Sequence, residues 1–82
     1  MGSRLDDLVA AVQQVAADGG FDGRLTVVPK NGSVVVVVHL RPQRGRMSLN
    51  AVKAAMDGLG LPPERFRFRR GEIRARVVLP AE

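Results

Sequence analysis

Apolar residues recur at Leu5, Leu8, Val9, Val12 and Val15, with Asp6, Asp7, Gln13 and Gln14 on the intervening positions. That spacing predicts an amphipathic helix from about Arg4 to Ala17. Ser3 stands at its N-cap with Asp6 in capping-box position, and Gly19 and Gly20 end it. The pattern then changes. Leu25 to Pro29 and Val34 to Leu40 are β-rich runs around Lys30-Asn31-Gly32-Ser33. Asn-Gly is the strongest short hairpin signal, because both residues of the favoured tight turn take positive φ. A two-residue turn at Asn31-Gly32 pairs Val28 with Val35, Val27 with Val36, Thr26 with Val37 and Leu25 with Val38. Leu25, Val27, Val36 and Val38 then share one face. Arg24, Thr26, Val28, Val35, Val37 and His39 share the other.

A second helical stripe, Leu49, Val52, Met56 and Leu59, predicts a helix from about Leu49 to Leu59 with Ser48 as its N-cap. Gly58 and Gly60 end it, and Pro62-Pro63 prevent its resumption. Arg65 to Arg69 and Glu72 to Leu79 form a second hairpin around Arg70-Gly71. The register that buries both phenylalanines pairs Phe68 with Ile73 and Phe66 with Ala75. On the other face Arg69 then lies across from Glu72, Arg67 from Arg74 and Arg65 from Arg76. Arg70 is a poor residue for a positive-φ turn position, so a longer loop is an alternative in the same register.

The order is αββαββ, and the halves align: Ala11-Val12 with Ala51-Val52, Gly20 with Gly60, Phe21 with Leu61. This predicts one α+β domain over residues 1–82. Repeat units of about 3–40 and 47–79 share a four-stranded antiparallel or mixed sheet with both helices on one face. A circular permutation of the ferredoxin-like arrangement produces the same element order, an analogy of topology alone.

Composition narrows the chemistry. A hydrophobic fraction of 45% suffices for a core and argues against disorder. The absence of cysteine excludes disulfides and thiolate metal sites. The longest apolar run, Val34 to Val38, is far below the roughly 20 residues of a membrane span. Asp6 and Asp7 interrupt any leader-like opening, so a cytoplasmic location is expected. Met1-Gly2-Ser3 reads equally as native sequence or as a cloning remnant. The single histidine, His39, makes a protein-only zinc site and a general-base role poor readings. Ser3, Ser33 and Ser48 sit at caps and turns, so no serine triad is indicated. No enzyme activity, metal or cofactor is expected.

The net charge is +5, and eleven of the thirteen basic residues are arginine, the side chain suited to bidentate contact with phosphate and carboxylate. Part of this excess can reflect genome composition, so placement has to decide. Arg65, Arg67, Arg69, Arg74 and Arg76 fall on one face of the second hairpin. Like charges directly opposite cost something like ~0.2–1 kcal/mol per pair. An anionic partner would offset that cost; splayed, solvated side chains would lower it. Arg41, Arg44 and Arg46 lead into the second helix, whose free N–H groups attract anions. No phosphate-loop pattern is present. Val28, Val35 and Val37 make an apolar patch predicting a homodimer through the first hairpin, by sheet face or edge pairing. The primary expectation is a non-enzymatic nucleic-acid-binding module that contacts backbone phosphates, since stacking aromatics are missing. The alternative is a protein-interaction or assembly module that uses the valine face or meets an acidic protein surface.

Overall fold

The computed structural model describes residues 4–80. Helix α1 spans Arg4–Gly19, buries Val12 and Val15, and packs Leu5, Leu8 and Ala16 against the same core. The expected Ser3 cap lies outside the described residues. Gly20 takes φ 71, a left-handed conformation that ends the helix and delivers Phe21 directly into the first strand, where it is buried.

Strands β1 (Phe21–Lys30) and β2 (Ser33–Pro42) pair antiparallel in the anticipated register, Val28 with Val35 through Arg24 with His39. Both strands run further than their β-rich cores, because the ladder continues through Gly23–Leu40 and Asp22–Arg41 to Phe21–Pro42. Asp22 and Gly23, outside the apolar run, are held in the ladder by their partners Arg41 and Leu40. At Gly23 a Cβ would lie 3.1 Å from Val12 and 3.3 Å from Ala16, so the missing side chain lets α1 cross the sheet there.

Helix α2 spans Leu49–Leu59. The Ser48 hydroxyl accepts the Ala51 N–H at 3.1 Å, and Gly60 closes the helix at φ 66. Gly58 is an interior position rather than a stop. A Cβ there would meet Val15 at 2.7 Å, so this glycine sets the close approach of the two helices. Leu49 does not join the buried stripe; in the first turn it is exposed, and Ala55 is the helix's buried residue.

A 3-10 turn at Pro63–Arg65 precedes β3 (Phe66–Arg69) and β4 (Glu72–Pro80). The register is as expected, Phe66 with Ala75, Arg67 with Arg74, Phe68 with Ile73 and Arg69 with Glu72. Arg65 falls in the 3-10 turn, so the expected Arg65–Arg76 strand pair does not form. Pro62 and Pro63 hold that segment in a turn before the strand begins.

The two turns reverse the expectation from residue type. Among the described residues, Arg70 at φ 49 is the one non-glycine with positive φ, so Arg70-Gly71 makes the tight turn with both residues left-handed. Asn31 does not take positive φ, and Gly32 alone supplies it. Register, set by burial of the strands, overrode turn propensity.

The hairpins join through antiparallel β2–β4 pairing, Leu40 with Ile73 through Ser33 with Pro80, giving an open antiparallel sheet of order β1-β2-β4-β3. Leu40, Ile73, Val12, Val36 and Val38 form the most buried part of the core. Each contributes roughly 1.5–3 kcal/mol of apolar burial. Phe66 is buried with them, but Phe68, expected beside it, is 54% exposed on the four-residue edge strand.

Candidate anion-binding face

The alternation that sends Val36, Val38, Leu40, Ile73 and Ala75 into the core sends the intervening residues to the opposite, open face. Read across the sheet, these form rows: Val28–Val35–Val78, then Thr26–Val37–Arg76, then Arg24–His39–Arg74–Arg67. Beyond these lie Asp22 beside Arg41 and Glu72 beside Arg69. The face therefore changes from apolar at one end to basic at the other.

Glu72 is the hub of the basic end. It is 5% exposed, covered by the side chains that bind it. Arg74 Nε donates to Glu72 Oε1 at 2.5 Å and Arg41 Nη2 to Oε2 at 3.4 Å. His39 Nδ1 lies 3.1 Å from Oε1. An ionised carboxylate only accepts, so Nδ1 carries the proton. His39 Nε2 is 3.5 Å from Thr26 Oγ1. The Arg74 bond first, and the His39 bond second, lower the Glu72 pKa from 4.5 to about 2 against the opposing effect of burial. Glu72 is thus ionised throughout the ordinary pH range. It holds two guanidiniums and an imidazole in place rather than moving a proton.

Glu72 was expected to partner Arg69, across the turn. Its actual partners are Arg74 on its own strand and Arg41 and His39 on β2. The opposed pair Arg67 and Arg74 also behaves differently from the expected repulsion. Arg74 turns to Glu72, while Arg67 Nη1 donates to the backbone oxygens of Glu64 and Phe66 at 3.0 Å each. The like-charge cost is relieved inside the chain, so that pair by itself gives no argument for a bound anion. The weight falls on Arg65, Arg69, Arg70 and Arg76, whose side chains make no hydrogen bond or ion pair with the described residues. Arg65, Arg67, Arg69, Arg74 and Arg76 border a shallow depression of about 460 Å³ whose apolar lining is Val37, Phe68 and Ala75. A second depression of about 290 Å³ lies among Asp22, Arg24, His39, Arg41 and Glu72.

The loop arginines separate. Arg41 belongs to β2 and is engaged with Glu72, whereas Arg44 and Arg46 remain exposed in the connection around Gly45, at φ 65. The first turn of α2 already has Ser48 on one of its free N–H groups. In the valine row, Val35 is only 6% exposed because Val28 and Val78 flank it, so the patch is smaller than hairpin 1 alone suggested. Val37 is half-buried beside Arg76.

Val78, His39 and the central place of Glu72 were not anticipated. All three depend on the β2–β4 pairing, which joins residues 33 positions apart in the case of His39 and Glu72. No local motif marks that contact. Phe68, the exposed aromatic, alternates with Arg67 and Arg69 on the edge strand β3 and also lines the arginine depression. On the open face the His39 imidazole is engaged with Glu72. No group of three metal-ligating side chains and no helix long and apolar enough to cross a membrane occurs among the described residues. Comparison with family models, with curated proteins and with solved structures gave no match in any of the three.

Proposed function

We propose that this chain is a non-enzymatic binding module that holds nucleic-acid backbone phosphates on the arginine end of its open sheet face. The carrying observation is the segregation of charge. Arg65, Arg69 and Arg76 are unpaired around one depression, Arg70 is unpaired beside Arg69 at its rim, and the carboxylate of β4, Glu72, is saturated by Arg41, Arg74 and His39. Asp6, Asp7, Asp18 and Asp57 lie on the helices, away from this face. Such a surface attracts polyanions through phosphate contacts, without reading bases. Arg44 and Arg46, exposed in the connection between β2 and α2, are further candidate contacts.

The test is titration with a generic duplex at several salt concentrations. Four phosphate contacts make binding about 100-fold weaker at about 200 mM salt than at about 50 mM. Replacing Arg69 and Arg76 together by Ala lowers the salt slope by roughly 1.8, at about 0.9 per lost contact. No affinity at low salt, or a wild-type slope in the double variant, overturns the reading.

A second reading, assembly with protein, draws on the half-exposed Val28 and Val78. These residues offer much less than the roughly 800 Å² per partner of a stable interface, so the valine face alone is too small. We further propose that the two αββ halves arose by duplication and that the strand order reflects a permuted ferredoxin-like arrangement. The left-handed glycines Gly20 and Gly60 at equivalent helix ends and the order β1-β2-β4-β3 support this.

A further inference from the structure

We propose that two copies of this chain associate edge to edge through β1, antiparallel, with Thr26 of one copy opposite Thr26 of the other. This inference is independent of the polyanion reading.

Strand β1 is ten residues long, lies at one edge of the sheet and is paired only to β2. Lys30 and Ser33 close a two-residue turn, so they form a hydrogen-bonded pair. Alternation then directs the backbone groups of the even-numbered β1 residues to β2, and those of Phe21, Gly23, Leu25 and Val27 outward. The outer edge is an unfilled ladder. Helix α1 crosses the sheet at Gly23 and does not cover the strand further along, because Val27 on the helix side is 47% exposed. Val28 on the other side is 43% exposed, so a strand added here would shield apolar surface on both faces at once.

The register follows from charge. Outward-facing residues must pair with outward-facing residues, which excludes one-residue shifts. Centring on Thr26 places Leu25 opposite Val27, Arg24 opposite Val28 and Asp22 opposite Lys30, the last pair formed twice by symmetry. Centring on Val27 sets Arg24 against Lys30 twice, which is repulsive. Centring on Leu25 leaves Lys30 without a partner and sets Asp22 against Val28. Asp22 Oδ1 accepts from Gln43 Nε2 at 3.2 Å, which leaves its other oxygen for Lys30. Pro29 has no N–H and removes one bond from each end of the new ladder, so the association is moderate rather than permanent. The product is a continuous eight-stranded sheet with an arginine region toward each outer end.

The chain contains no cysteine, so single introduced thiols report the register cleanly. In this arrangement the two Thr26 residues form a non-hydrogen-bonded pair with Cα atoms about 4.5 Å apart, within disulfide range. Thr26→Cys should therefore yield a disulfide-linked dimer under mild oxidation, and Val28→Cys, whose partner is Arg24, should not. Sedimentation of the cysteine-free protein supplies the second measurement. Lys30→Asp should weaken the dimer at least several-fold, and adding Asp22→Lys should restore it. Failure of Thr26→Cys to cross-link in a folded protein, preferential cross-linking by Val28→Cys, or no rescue in the charge swap would each overturn the proposal.

Discussion

At the residue scale, Glu72 does the most to order the open face. It takes bonds from three side chains while almost fully covered, and its ionised form is the one the fold retains. A carboxyl whose pKa falls from 4.5 unfolded to about 2 folded stabilises the protein above about pH 4.5. That contribution is lost as pH falls through about 2. Glu72→Gln should therefore be less stable at neutral pH, with its deficit shrinking from pH 4.5 toward pH 2, as measured by urea denaturation across that window. A deficit that stays constant would show that the carboxylate's charge is not what matters. Arg70 is the opposite case, a residue in a conformation it disfavours. Arg70→Asn relieves the left-handed strain and should stabilise the fold by about 0.5–1 kcal/mol in the same assay. An unchanged or lowered stability would contradict the turn geometry.

At the element scale, both hairpin registers were legible because period-two burial specifies them. Helix α2 was legible because its cap, stripe and closing glycine agree. What sequence reading missed were contacts made between elements. Gly58 reads as a helix stop, yet it is where α2 meets Val15 of α1. Ala is the better helix former by roughly 1 kcal/mol, but a methyl group forced against a buried side chain costs about 1–3 kcal/mol. Gly58→Ala should therefore destabilise the protein by about 1 kcal/mol. In a Val15→Ala background the same change should be neutral or stabilising, and thermal denaturation of the four proteins closes the cycle. A stabilising effect in the wild-type background would mean that the helices are not packed at this point. Leu49 and Phe68 failed to bury for a related reason. Both fit the apolar pattern of their element, but Leu49 stands in the first turn of α2 and Phe68 on the outermost strand of the sheet, where the neighbouring layer covers them less.

At the scale of the whole molecule, charge is sorted by layer. The helices carry Asp6, Asp7, Asp18 and Asp57, while the open face carries most of the strand arginines. Under the proposed function this arrangement would orient the domain in the field of a polyanion, with the sheet turned toward it. The salt slope should accordingly respond to Arg69 and Arg76 and remain unchanged in Lys53→Ala, on α2. A slope that drops equally for Lys53 would point to diffuse attraction with no preferred face. The candidate arginines were recognisable because Arg67, Arg69, Arg74 and Arg76 alternate with core residues. Which of them are free was not, since Arg41, Arg67 and Arg74 are taken up by partners that only the assembled sheet supplies.

The sequence by itself determined the element order, both hairpin registers and the division of each strand into a core face and an outer face. Those properties follow from local periodicity, caps and turn glycines. Only the tertiary structure decided that β2 lies beside β4. That single pairing made the sheet antiparallel throughout, buried Val35 between Val28 and Val78, and brought His39 and Arg41 to Glu72. The reason is physical. Local pattern specifies which face a residue occupies. The neighbour it meets on that face depends on how two hairpins share one core, and no short stretch of sequence encodes that.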